Sequence, residues 1–253
     1  MSATRATIDL DDTEGLIAAD HDGLLRAASM AGAQVRATAT AVDEGALAPV
    51  TTGERPRSVI WVAGRGAAES AGAILAATLG GSAAVPLVTV SEVPVWIGPL
   101  DVLVVAGDDP ADPALVAAAA TGVRRGARVI VAAPYAGPLR DATAGRAAVL
   151  APRLPVPDEF GLCRYLAVGL ATLAAVGASS TADLAELADD LDAEALRNSA
   201  GREVFTNAAK SLAQRIVGRS AVLAGDSGAT LALARHCAAV LLRIGHRVVD
   251  AAA

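Results

Sequence analysis

Two kinds of pattern alternate along the chain. Short uninterrupted apolar runs ending at Gly or Pro are separated by longer stretches in which apolar residues recur every three or four positions. Residues 13–44 carry Leu16, Ile17, Leu24, Leu25, Ala28, Val35 and Val42 at helical spacing, with Gly45 as the stop, which predicts one or two leading helices. The polar, proline-containing "APVTTGERPRS" then reads as a joint. Beyond it "SVIWVAG", "AVPLVTV", "DVLVVAG" and "ARVIVAAP" read as buried strands, and "AAVLAPRLPVP" as a fifth ended by prolines. Helices are predicted over 67–80, 112–125, 160–177 and 181–197, the last capped by Thr181. Apolar strands alternating with helices give an α/β fold, a parallel sheet flanked by helices.

The chain also echoes itself. "SVIWVAGRGAAESAGAILAATLG" at 58–80 and "SAVLAGDSGATLALARHCAAVLLRIG" at 220–245 both read strand, Ala-Gly, a charged residue, a small-residue loop and an apolar helix. A second, incomplete unit is therefore expected from Gly218. The organisation is 1–52 leading helices, 53–178 an α/β domain, 179–217 linking helices and 218–253 the start of a similar unit. That unit is too small to bury a two-faced strand alone, so it is expected to lie against the first domain or against a second copy.

Composition narrows the partners. The chain of 253 residues is 53% hydrophobic but only 2% aromatic, so its core must be Ala, Val and Leu. The formal charge is −6 with no basic run, which argues against a nucleic-acid surface. The acidic amino-terminal stretch lacks the apolar core of a signal peptide, and the longest apolar runs are interrupted or too short to span a membrane. Cys163 and Cys237 form no CxxC pair and are expected to be buried thiols in a reducing compartment, which points to the cytoplasm.

These stretches resemble the sugar isomerase (SIS) fold, and more narrowly the bifunctional phosphoglucose/phosphomannose isomerase family and its actinobacterial relatives. The residues that carry the resemblance are "VAGRGAAESAG", "VVAGDD", "PVPDEFGLCRYLAVGLATL" and "EVFTNAAKSLAQRIVGRSAVLAGDSGATLALARHCA". The resemblance implies binding of a sugar or sugar phosphate, aldose–ketose isomerisation, a homodimer, and neither cofactor nor metal. It directs attention to Gly64, Arg65, Gly66, Ser70, Gly107, Asp108, Asp109 and Ser227 as substrate-binding residues. Arg164 matches the family's Pro-Arg segment, where the Arg faces the sugar's reacting end, and is the candidate catalytic residue.

The departures from that pattern bear on activity. The family's Gly-x-Gly-Gly-Ser is here Gly64-Arg65-Gly66-Ala67-Ala68, and its hydroxyl-rich second loop is Ala106-Gly107-Asp108-Asp109. Near the family's catalytic Glu stand Leu241, Leu242 and Arg243, and its His would fall beyond residue 253. A catalytically degenerate member that binds a sugar ligand or a partner and regulates it is therefore the alternative to an isomerase.

Individual residues also have plainer readings. Asp112 before Pro113 is a helix N-cap. One carboxylate about 5 Å from a phosphate charge costs about 3 kcal/mol at an effective dielectric near 20, so Asp108 and Asp109 are expected to have ended phosphate binding at this loop. They satisfy the loop's own N–H groups, as Asx turns do, or accept hydrogen bonds from sugar hydroxyls or an amine. Arg65 is placed to clamp an anion or to pair with Asp108 or Asp109 across neighbouring loops, and the shared sheet edge favours the pair. Gly64-x-Gly66 lacks the third Gly of a dinucleotide fingerprint, having Glu69 there. His236 and Cys237 read as a core or interface pair and Lys210 as a solvated helix residue.

Overall fold

The computed structural model describes residues 8–178 and 183–253. The leading segment forms α1 (Thr13–Ala19), α2 (Leu24–Ser29) and α3 (Ala31–Asp43), and the joint opens with the short α4 (Ala48–Thr51). Where one or two helices were expected, three form. Gly23 takes a left-handed φ of 68°, and the Asp20 carboxylate accepts from the N–H groups of Leu24 and Leu25 at 2.7 and 2.9 Å, restarting the chain as α2.

The central layer follows as β1 (Ser58–Ala63), α5 (Ala67–Leu79), β2 (Leu87–Val90), β3 (Asp101–Ala106), α6 (Pro113–Arg125), β4 (Arg128–Ala132), α7 (Gly137–Thr143) and β5 (Ala147–Val149). The strands form one parallel sheet in the order β2-β1-β3-β4-β5. Because β1, β3 and β4 are buried on both faces, they show no polar–apolar alternation. Their side chains still divide by twos. Val59, Trp61, Val102, Val104 and Ile130 pack on the face covered by α5 and by α8 (Leu162–Ala175). Ile60, Val62, Leu103, Val105 and Val131 pack on the face covered by α6 and α7.

At the amino edge of the sheet Asp101 is fully buried. It accepts from Arg57 Nε at 3.0 Å, Ser58 Oγ at 2.8 Å and the Gly98 N–H at 2.9 Å, and the Arg57 guanidinium lies over Trp96. This cluster fixes where the joint enters the sheet. Burial alone would raise the Asp101 carboxyl. The Arg57, Ser58 and Gly98 donors outweigh it and hold it below its ordinary value.

After α8 come α9 (Leu184–Arg197), packed on α3, then α10 (Ala208–Ile216), β6 (Val222–Ala224), α11 (Gly228–Arg243) and β7 (Asp250–Ala252). The Thr181 cap lies outside the described residues. Asp183 caps α9, accepting from the Ala185 and Glu186 N–H groups. β6 and β7 pair in parallel under α11, and α11 packs along α5. A methyl group at Gly228 would stand 3.4 Å from Ala77 Cβ, so the two helices approach closely there. The second unit therefore lies against the first domain.

Two further expectations are corrected. Lys210 is buried, not solvated: its Nζ donates to the carbonyls of Ala200 and Arg202, both at 2.7 Å, tying the segment after α9 to α10. Cys163 and Cys237 are half-buried rather than buried. No helix among the described residues is long and apolar enough to cross a membrane.

Candidate functional site

The sheet's strand order reverses between β1 and β3: the chain leaves β1 to one side for β2 and returns on the other as β3. In open parallel sheets the crevice beyond the carboxyl ends at such a reversal is the usual ligand site. Here it is a cleft of about 610 Å³. Gly64 and Gly107 let its two loops approach. The Gly64 N–H donates to Ala106 O at 2.8 Å, and a methyl group on Gly107 would strike Leu115 Cδ1 at 2.5 Å. Gly66 has φ 93°, a conformation that favours glycine, and it turns the chain into α5.

One wall of the cleft is the first loop with the start of α5, carrying Arg65, Glu69 and Ser70. A second is the loop after β3, with Asp108, Asp109 and Asp112. The 3₁₀ turn Asp158–Phe160 contributes Asp158 and Glu159. The roof is α11, through Ala232, Arg235, His236, Ala239, Val240 and Arg243. These positions are spaced i, i+3, i+4, i+7, i+8 and i+11, one face of a helix.

The carboxylates of the second loop divide their work. Asp112 caps α6, accepting from the Ala114 N–H at 2.8 Å. Asp109 closes an Asx turn on the Ala111 N–H at 2.8 Å. Asp108 does neither: it accepts from Arg164 Nη2 at 2.9 Å and from the Tyr165 hydroxyl at 2.6 Å. The Arg164 guanidinium lies 3.9 Å from the centroid of the Tyr165 ring, and its side chain is 8% exposed. The expected pairing of Arg65 with Asp108 or Asp109 is not made, because Arg164 rises from α8 beneath the loop and takes Asp108 from below.

Burial, and beyond it the Asp108 carboxylate, pushes the Tyr165 phenol up, so it remains a donor. Burial likewise raises the Asp158 carboxyl, helped by the charges of Asp108 and Glu159 and opposed by those of Arg164 and Arg243. Arg243 reaches from α11 to within 3.5 Å of Glu159 Oε1, and its Nη1 lies beside Gly66. Arg65 and Arg235 make no ion pair among the described residues. Six carboxylates thus face three guanidinium groups, with the acids on the sheet side and two of the arginines on α11. No three His, Cys, Asp or Glu side chains among the described residues are grouped to hold a metal ion.

Of the residues singled out in the sequence, Gly64, Arg65, Gly66, Ser70, Asp108 and Asp109 line this cleft. Gly107 lies behind it and Arg164 beneath it. Ser227 stands outside, engaged in the capping box of α11 with Thr230. Sequence reasoning missed Asp158, Glu159, Arg235 and Arg243 and read His236 with Cys237 as a core or interface pair. The signal for the α11 residues was their common helical face.

No family model and no curated protein matches the chain. Solved structures do. A candidate phosphosugar isomerase from Silicibacter pomeroyi superposes with a TM-score of 0.65 at 15% identity, over 90% of this chain and 70% of that one. The C-terminal domain of glucosamine-fructose-6-phosphate aminotransferase from Francisella tularensis gives 0.62 at 12%, over 93% and 71%. Tagatose-6-phosphate ketose/aldose isomerase from Escherichia coli gives 0.58 at 16%, over 91% and 64%. The chain's fold, a five-stranded parallel sheet flanked by helices, is the one it shares with these structures.

Proposed function

We propose that this chain is a phosphosugar-binding protein that holds its ligand in the cleft between the β1 and β3 loops without isomerising it. The observation that carries this reading is the cleft's division of charge. Arg235 and Arg243 line the cleft from α11, opposite the sheet loops, where guanidinium groups can take a phosphate by paired hydrogen bonds. Carboxylates on the other side accept hydrogen bonds from sugar hydroxyls. The solved structures named for phosphosugar isomerases, which have the same fold, support the ligand class. The binding-only reading is supported by Arg164, which is buried against Asp108 and Tyr165 and does not line the cleft. Ligand-dependent regulation is the role such a protein would have.

A second reading is aldose–ketose isomerisation of the glucose 6-phosphate and mannose 6-phosphate type. It is favoured by Asp158, whose raised carboxyl suits it to exchange a proton with a ligand in the same cleft. Calorimetry with glucose 6-phosphate, mannose 6-phosphate and fructose 6-phosphate, each against its unphosphorylated sugar, tests binding. Phosphosugars should bind and Arg235→Ala or Arg243→Ala should weaken them. Equal affinity for phosphorylated and plain sugars would refute the phosphate assignment. A coupled isomerase assay separates the two readings: turnover abolished by Asp158→Asn would establish the second.

A cytoplasmic homodimer completes the proposal. It is supported by the exposed Val222, Leu242 and Val248 of the second unit and by two free, half-buried thiols. A light-scattering mass of one chain would refute the dimer.

A further inference from the structure

We propose that His236 is a positioning residue of this cleft, whose imidazole hydrogen-bonds a hydroxyl or carbonyl oxygen of the bound ligand. The inference builds on the phosphosugar reading of the cleft and names the residue that would orient the sugar within it.

His236 is only 9% exposed and it lines the cleft. Its ring nitrogens have no hydrogen-bond partner among the described residues. Most other buried polar side chains are satisfied by the protein, with Gln34 Oε1 and Thr172 Oγ1 the enclosed exceptions among the described residues. Arg164 has Asp108, Asp101 has Arg57 and Ser58, and Lys210 has two carbonyls. The His236 nitrogens are not among those enclosed atoms, so with the body of the ring packed they open onto the cleft, where a ligand can reach them. Beside the apolar Ala232, Ala239 and Val240 of the same helix face, packing alone would be served as well by leucine.

Burial disfavours the imidazolium. A neutral ring carries one donor and one acceptor, the complement of a hydroxyl rather than of a phosphate. The phosphate has better partners nearby. Arg243 stands seven residues along α11, about 10 Å away on the helix axis. A phosphate held there, beside Gly66 and Arg65, leaves the sugar portion level with His236.

The chain has three histidines, His21, His236 and His246, so the ring resonances are readily assigned by substitution. Carbon–proton spectra of these rings are followed while glucose 6-phosphate, mannose 6-phosphate or fructose 6-phosphate is added, with inorganic phosphate and glucose as separate probes. Calorimetry on wild type, His236→Leu, His236→Gln and Arg243→Ala runs alongside. We expect the His236 signals alone to shift with the phosphosugar and not with inorganic phosphate. His236→Leu should weaken binding by about tenfold and His236→Gln should recover part of it, with both variants melting near wild type. If phosphosugars bind and Arg243→Ala weakens them, but the His236 signals stay still and His236→Leu binds as tightly, the inference is wrong while the reading of the cleft survives. If His236 shifts and His236→Leu loses affinity, yet glucose binds as well as its phosphate, the phosphate assignment falls and the inference stands. If no probe binds, both fall.

Discussion

The contact of Asp108 with Arg164 and Tyr165 makes a quantitative prediction. Asp108→Ala removes the carboxylate partner of a guanidinium whose side chain is 8% exposed. Removing one member of a buried ion pair costs about 3–5 kcal/mol, because the other charge is left desolvated. Asp108 itself is 20% exposed, so water can partly replace it, and the lower end of that range, about 3 kcal/mol, applies. For a chain of this length each kcal/mol lowers the melting temperature by about 2–4 °C, so a fall of roughly 6–12 °C is expected. The same change at Asp109 removes only an Asx-turn acceptor from an exposed loop and should cost less than about 1 kcal/mol. Arg164→Met alone should also destabilise, but the double variant with Asp108→Ala should lose less than the sum of the two, because it strands no charge. Thermal melts by circular dichroism on the four proteins of the cycle, with Asp109→Ala as control, read this directly. Equal losses from Asp108→Ala and Asp109→Ala, or strict additivity with Arg164→Met, would mean that the ion pair does not hold the loop.

Three further outcomes are expected. Asp101 has a lowered carboxyl, so its contribution to stability is complete above the unfolded value near pH 4 and is lost as pH falls below it; Asp101→Asn should flatten the acid limb of the melting-temperature profile, and an unchanged limb would contradict the assignment. Gly72→Ala would bring a methyl group 2.5 Å from Trp61 Cδ1, on an indole already donating to Ala68 O at 3.0 Å; it should cost about 1–3 kcal/mol and shift Trp61 fluorescence, whereas an unaltered melt would show that the ring can move aside. Lys210→Met removes the donor from the Ala200 and Arg202 carbonyls and should cost about 2 kcal/mol in a urea titration; a loss below about 0.5 kcal/mol would return Lys210 to the solvated role its sequence context suggested.

The parallel sheet was legible because β1, β3 and β4 are buried on both faces and so appear as unbroken apolar runs bounded by glycine. The Asp112 cap was legible because N-caps are local, one side chain reaching an N–H two residues on. Lys210 and Arg164 mark where local reading fails. Both have the spacing of ordinary helix residues, and each is buried by partners distant in the chain or outside its own helix, Arg164 by a loop 56 residues away. His236 was misjudged for a related reason. Its helix is apolar over most of its surface, and only the packing of α11 along α5 turns the Arg235–His236–Arg243 stripe toward a cleft.

That packing also explains why the carboxylates on the sheet side need not exclude an anionic ligand from the whole cleft. A helix N-terminus attracts anions through its free N–H groups and its partial positive charge, and α6 has spent that attraction internally, while an acidic side chain offsets it at α5. α6 begins on Asp112 with Asp109 just before it, and α5 carries Glu69 in its first turn. A phosphate at the start of α6 would meet acceptors already bonded to the N–H groups it needs. α11 supplies what the loops have given up: Arg235 and Arg243 approach from the opposite wall, and Arg243 extends as far as Gly66. The second unit, small as it is, therefore forms one wall of the cleft. A ligand anchored by α11 and oriented by the sheet loops would couple the two units, so a phosphosugar that binds here should also stabilise α11 against α5, readable as slowed hydrogen exchange in residues 228–243.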